Sequence, residues 1–320
     1  MHWHKVIKAL IMTSKIRSWF HLLRSTFNEF IADNVIKLSA SLAYYTVFSM
    51  GPLLLVLVSL LGLFFQKETI TTKLFYQVSS LIGHDGAVQL QAIMENMRHQ
   101  SHASKFSLIG IVILIFGTTG IFADIQDSIN YIWSIRAKPK KSWLKFLRNR
   151  LLSFSLVLGI GFLLIASLLI NALTDILTDK LQHIFNQEAV VFFKVLNVVL
   201  LYGITSCLFA VIYKVLPDAI IKWKDAFVGA FSTGLFFLIG KFAIGYYLGS
   251  SNIDNTYGAT ASIILVLSWV YYTSIILYFG AEFTKVYALT KGGGIEPYET
   301  AVFIIKREAK ELPRSSGHSN

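Results

Sequence analysis

Charge is scarce in this sequence: only 15% of its 320 residues are Asp, Glu, Lys or Arg, against about 25% in a soluble domain. Such a chain cannot cover a water-facing surface with charge, which excludes an ordinary cytosolic enzyme. Cysteine is nearly missing. Cys207 stands alone, so no intramolecular disulfide framework is available. No cleavable leader is expected either, because residues 1–37 scatter their basic side chains and have no continuous apolar centre. What is plentiful is apolar side chain, 54% of residues with a mean hydropathy of +0.59, the opposite of the composition of a disordered chain.

The apolar residues gather in runs that carry almost no charge. These are residues 38–66, 106–123, 151–174, 195–213, 226–253 (interrupted once, by Lys241) and 255–281. A bilayer core needs about 20 helical residues to cross, and soluble cores do not supply six such segments. Membrane β-strands alternate apolar with polar residues. Stretches such as Ile263-Ile264-Leu265-Val266-Leu267 are apolar all round. The sequence therefore predicts an all-α, polytopic membrane bundle of six transmembrane helices, the first acting as an uncleaved signal.

Lys and Arg near the membrane ends of loops set orientation. The segment before the first run, the connections between runs two and three and between four and five, and the C-terminal region together hold 22 of them, while the three other connections hold five. Both termini are thus expected in the cytoplasm. The net charge of +11 follows from the same asymmetry, and the basic loops lack the interleaved aromatics of a single-strand nucleic-acid binder. Nucleic acid is not an expected partner; anionic lipid head groups at the cytoplasmic face are.

Outside the runs, residues 1–37 read as amphipathic helices in the cytoplasmic interface, with Ile7, Leu10, Ile11, Trp19, Phe20, Leu23, Phe27 and Phe30 at helical spacing. Residues 67–105 read as an outer helical cap, 38–290 as the membrane domain, and 291–320 as a cytoplasmic tail with a disordered end.

The segment Ser39-Ala-Ser-Leu-Ala-Tyr-Tyr-Thr-Val-Phe-Ser-Met-Gly-Pro52, then Gly117-Thr-Thr-Gly-Ile-Phe-Ala-Asp124 leading to Asn130 and Trp133, Leu216-Pro217, Trp223-Lys-Asp-Ala-Phe-Val-Gly-Ala230, Tyr257-Gly-Ala259 and Gly280-Ala-Glu282 resemble, in order and spacing, the YihY/BrkB family of bacterial inner-membrane proteins. The resemblance implies a six-helix inner-membrane protein. It carries an old ribonuclease BN-like label, a link to serum resistance and, for some members, lipid or envelope-precursor export. Metal-dependent hydrolysis needs clustered His and carboxylate ligands. The cytoplasmic segments contain only His2, His4, His21 and His318, so the chain is not expected to be an enzyme and no cofactor is expected.

Ionisable groups at bilayer depth are costly and mark function by default. Lys241 lies 15 residues past Ala226, about 22 Å along a helix. It either lines a cavity that holds an anionic group, or snorkels outward or pairs with Asp254, Asp175 or Asp179. Gly51-Pro52 inside the first run predicts a break or kink, with Tyr44, Tyr45 and Ser49 supplying nearby hydroxyls. These five residues, Lys241, Tyr44, Tyr45, Ser49 and Pro52, are the candidate lipid or substrate cavity; a plain kink satisfied by Ser49 or Thr46 is the simpler alternative.

Glu282 falls at the cytoplasmic edge of the sixth run, too far from Lys241 in depth to pair with it. It is expected to join Lys285 at i+3, Lys214 or a loop cation, and with Asp124 and Asp127 to form a cytoplasmic ion-pair belt. Ala230 with Gly234 and Gly245 with Gly249 predict close helix packing. A metal site at His84, Asp85, His99 and His102 lacks tight ligand spacing, so no metal is expected. Transbilayer movement of a lipid or amphiphilic envelope component leads; a membrane scaffold, self-associating or bound to an envelope protein, is the alternative.

Overall fold

The computed structural model describes residues 2–61, 75, 87–88, 91, 107–138, 187–250 and 261–306. The third apolar run, most of the 67–105 segment, His84, Asp85, His99, His102, Asp175, Asp179, Asp254 and the end of the tail lie outside the described residues.

Helix α1 (His2–Ala32) hands over to α2 (Val35–Leu61) at Asn34, whose φ of 52° is the left-handed conformation that asparagine tolerates at a helix end. Helix α3 (Ser107–Ile132) ends in the same way at Ser134, φ 57°, and runs directly into strand β1 (Ile135–Ala137). Then come α4 (Gln187–Val215), β2 (Ala219–Ile221), α5 (Trp223–Ser250), α6 (Ala261–Thr290), β3 (Ile295–Pro297) and β4 (Ala301–Phe303). Five of the six apolar runs thus coincide with long helices. Helix α6 packs against α1, α2 and α5, while α2 also packs on α3 and α4 on α5.

The interior is apolar but also takes in hydroxyls, and much of the outside is apolar too. Ser39, Ser206, Thr233, Ser274 and Thr284 are buried, whereas Val195, Val198, Val199, Phe231, Leu235 and Ile239 face outward. A patch of large apolar residues on the outside is the informative departure from water solubility. The buried hydroxyls of Ser39, Thr233, Ser274 and Thr284 donate to the carbonyl four residues back, so they need no water. Small side chains let the helices close: a Cβ on Gly229 would strike Thr284, one on Gly234 would strike Ser206, and one on Gly280 would strike Thr233 and Tyr213. Among the described residues, Val198–Val215 is long and apolar enough to cross a membrane, with a mean hydropathy of 2.0.

Four expectations need amendment. The chain is mostly helical rather than all-α, because β1 pairs antiparallel with β4, and β2 with β3. Their burial alternates, with Ile135, Ala219, Ile221 and Ile295 inside and Arg136, Ile220 and Glu296 outside. Strands of three residues are too short for that period of two to register in the sequence. The N-terminal segment is one continuous helix, not several. Residues 291–306, expected as the start of a cytoplasmic tail, build half of both ribbons. Helix α2 also runs on through Gly51 and Pro52 without a break.

Candidate functional site

The best-defined polar site sits where α1 turns into α2, at the end of α6. The apolar part of α6 stops at Ala281, so Glu282 and Lys285 lie beyond it, level with the residues that precede the first apolar run. Lys285 Nζ is 2.9 Å from Glu282 Oε2, 2.9 Å from Glu29 Oε2 and 3.4 Å from Asp33 Oδ2, and it donates to the Ile132 carbonyl at 2.9 Å. Lys306, just past β4, reaches the same Asp33 oxygen and the same carbonyl. That carbonyl belongs to the last turn of α3, where helix geometry leaves it without an internal partner and the dipole favours a cation.

Three carboxyls thus face two ammoniums in a largely buried space. Burial pushes the Glu282 carboxyl up to about 8, with Lys285 opposing the shift and Asp33 adding to it. Burial works against Asp33 too, but hydrogen bonding from Glu282 and from Lys306, with the charge of Lys285, outweighs it and holds Asp33 below the usual aspartate range. With Glu282 protonated the charges balance. Glu29, Asp33 and Glu282 are close enough together to hold a metal ion; in this arrangement the ammoniums already supply the positive charge.

Two further knots tie the same end. Asp218 accepts from Gln126 Nε2 at 3.3 Å and Asn130 Nδ2 at 3.0 Å, returns its own N–H to Asn130 at 2.8 Å, and takes the Tyr298 N–H on its carbonyl. Asp225, in the first turn of α5, accepts the Gly293 N–H at 2.7 Å. Trp133 Nε1 donates to the Ala281 carbonyl at 3.0 Å.

Of the expected belt, the Glu282–Lys285 pair is present. Asp124 is apart from it, accepting from Ser41 at 3.1 Å about one turn nearer the apolar region, beside Tyr278. Asp127 is exposed on α3. Lys214 donates to the Ile221 carbonyl instead of pairing with Glu282. The cavity candidates divide between two helices, Tyr44, Tyr45, Ser49 and Pro52 on α2 and Lys241 on α5. Tyr44 and Tyr45 are exposed on α2, edge to face at 5.9 Å, while Ser49 is buried on the same helix. Lys241 is partly buried on α5, which packs on α4 and α6 rather than on α2, and it has no ion pair among the described residues. The sequence reading missed Glu29, Asp33, Lys306 and Asp218. A signal for the first two existed: they are the only acidic residues before Glu68, four apart, just ahead of an apolar run.

Comparison with known proteins places this architecture. The family model described as "Virulence factor BrkB" matches residues 26–301. The chain belongs to the BrkB family. That match runs from Thr26 in α1 to the first residue of β4, and so includes the residues of the knots described above apart from Lys306. Among curated relatives, a UPF0761 membrane protein of Aliivibrio salmonicida is 28% identical, covering 93% of this chain and 93% of its own length. One from Aliivibrio fischeri is 27% identical over 95% and 94%, and one from Tolumonas auensis is 26% identical over 79% and 80%. No solved structure matches. As a BrkB-family chain this is a bacterial membrane protein, in keeping with its outward apolar faces.

Proposed function

We propose that this BrkB-family chain is an inner-membrane protein of six helical spans with both termini cytoplasmic, that it moves an anionic lipid or other amphiphilic envelope component between leaflets, and that it catalyses no covalent reaction. The orientation is supported by the meeting of the α1–α2 turn, β1, β2 and residues 291–306 at one end, since these belong to the four segments richest in Lys and Arg. The substrate reading rests on Lys241, a partly buried cation well inside α5 with no ion pair among the described residues. An ammonium so placed costs free energy unless an anion or a wet cavity meets it.

Reconstituted vesicles carrying a fluorescent lipid, bleached from outside, test this directly. The wild type should raise the rate of exchange between leaflets, and Lys241→Ala should lower that rate about tenfold, the scale of one lost charge-assisted contact; Lys241→Arg should retain most of it. An unaltered rate in Lys241→Ala overturns the reading. A scaffold is the second reading, and the interlocked cytoplasmic end favours it. A wild type with no exchange above empty vesicles would select it.

A further inference from the structure

Helix α1 uses one face to bind α6: Leu22 is buried beside Phe283 and Val286, Phe30 meets Phe279 edge to face at 5.7 Å, and Trp19 stacks on Phe283 and Tyr287. Phe20, Leu23, Phe27 and Ile31 recur at steps of three and four on another face and remain exposed, Phe20 by 69%. Four large apolar side chains in a row need a cover. Arg17 and Arg24, two helical turns apart, border this stripe on one line, and neither has an acidic partner among the described residues. His21 and Asn28 follow on the side away from the stripe, also exposed. Residues 1–28 contain Lys5, Lys8, Lys15, Arg17 and Arg24 and not one acid. Lys291, from the end of α6, adds a cation 4.5 Å over the Trp19 ring.

We propose that α1 lies in the plane of the cytoplasmic leaflet, with the Phe20–Leu23–Phe27–Ile31 stripe among the acyl chains and Arg17 and Arg24 holding the phosphates of anionic lipids. The occupant follows from charge: an apolar stripe edged with arginines that meet no acid among the described residues, on a helix whose only acid, Glu29, is paired with Lys285, complements an anionic bilayer surface. A neutral apolar protein partner would leave the arginines unmatched. The inference rests on the proposed orientation but not on lipid movement, so it survives if lipid exchange is not found.

The test uses the full chain with Cys207→Ser as background, in bilayers of phosphatidylcholine with or without phosphatidylglycerol. A nitroxide on Phe20→Cys should be accessible to oxygen and shielded from a water-soluble nickel complex, and one on Asn28→Cys should show the reverse. Phosphatidylglycerol retained by the purified protein should fall about fivefold for each of Arg17→Gln and Arg24→Gln, while the Lys variants at both positions keep it. Nickel access at position 20, dipolar coupling between labels on two copies, or phosphatidylglycerol retention unchanged by both Gln substitutions would each overturn the assignment. Label accessibility and retention in the Arg-containing background require no charge variant, so a misfolded Gln protein does not block the test.

Discussion

At one end of the bundle two ammoniums meet three carboxyls; within α5, Lys241 meets no acid among the described residues. Both regions bury charge, yet they differ in what the burial does. Around Lys285 the charges tie four pieces of chain together, α1, the α1–α2 turn, α6 and the segment after β4, on the last carbonyl of α3. Among the described residues, nothing comparable surrounds Lys241. A paired buried charge is costly to remove because it strands its partners, whereas an unpaired one can be removed with little loss or a gain in stability. Stability and function are therefore expected to separate between the two regions.

The largest effect should come from Lys285→Met, which takes the cation from Glu29 and Glu282 and leaves Asp33 with Lys306 alone; thermal unfolding in detergent should show a loss of about 3–5 kcal/mol. Lys241→Met should leave the same transition unmoved or raised. Equal losses in both would erase the contrast.

Next in size is Asp218→Ala. It leaves the Gln126 and Asn130 side-chain donors without their acceptor, at a cost of about 2–3 kcal/mol. Chemical unfolding checks this, and a loss below half of that would show that water or a rearranged loop replaces the carboxylate.

The pH dependence sharpens the comparison further. Glu282 is held above its ordinary value of 4.5, up to about 8, so the folded chain keeps a proton that the unfolded chain gives up. Stability from this group is complete below about 4.5 and is lost as pH rises toward 8, with a limiting slope of about 1.4 kcal/mol per pH unit. Asp33 has the opposite sign, its contribution being lost as pH falls below its ordinary value. Melting temperature measured from pH 5 to pH 9 should therefore fall as pH rises toward 8 and level off above it, and Glu282→Gln should flatten that limb. A wild-type profile that is flat there would show Glu282 ionised throughout.

The smallest effect is expected at Gly294, whose φ of +82° closes α6 before β3. Gly294→Ala should cost about 1 kcal/mol in the tied end, with no change in lipid exchange.

How much of this was legible depended on distance along the chain. Glu282 and Lys285 are one helical turn apart, so their pairing could be read from spacing. The Asp33 contacts to Lys285 and Lys306 join residues 252 and 273 positions apart, and no local pattern announces them. The ribbons escaped because each strand has only three residues. Gln126, Asn130 and Asp218 are polar residues at helix ends, where solvation is the ordinary expectation; only the folded chain shows them buried against one another.

The amino-acid order alone determined that this chain is helical and made for lipid, because long charge-free runs fit no aqueous core, and its motifs carried the family. The tertiary structure decided which charges meet. Pairing of Glu29, Asp33, Lys285 and Lys306 requires helix ends distant in sequence to be brought within hydrogen-bond reach, and packing of α6 against α1 and α2, not any local preference, brings them there.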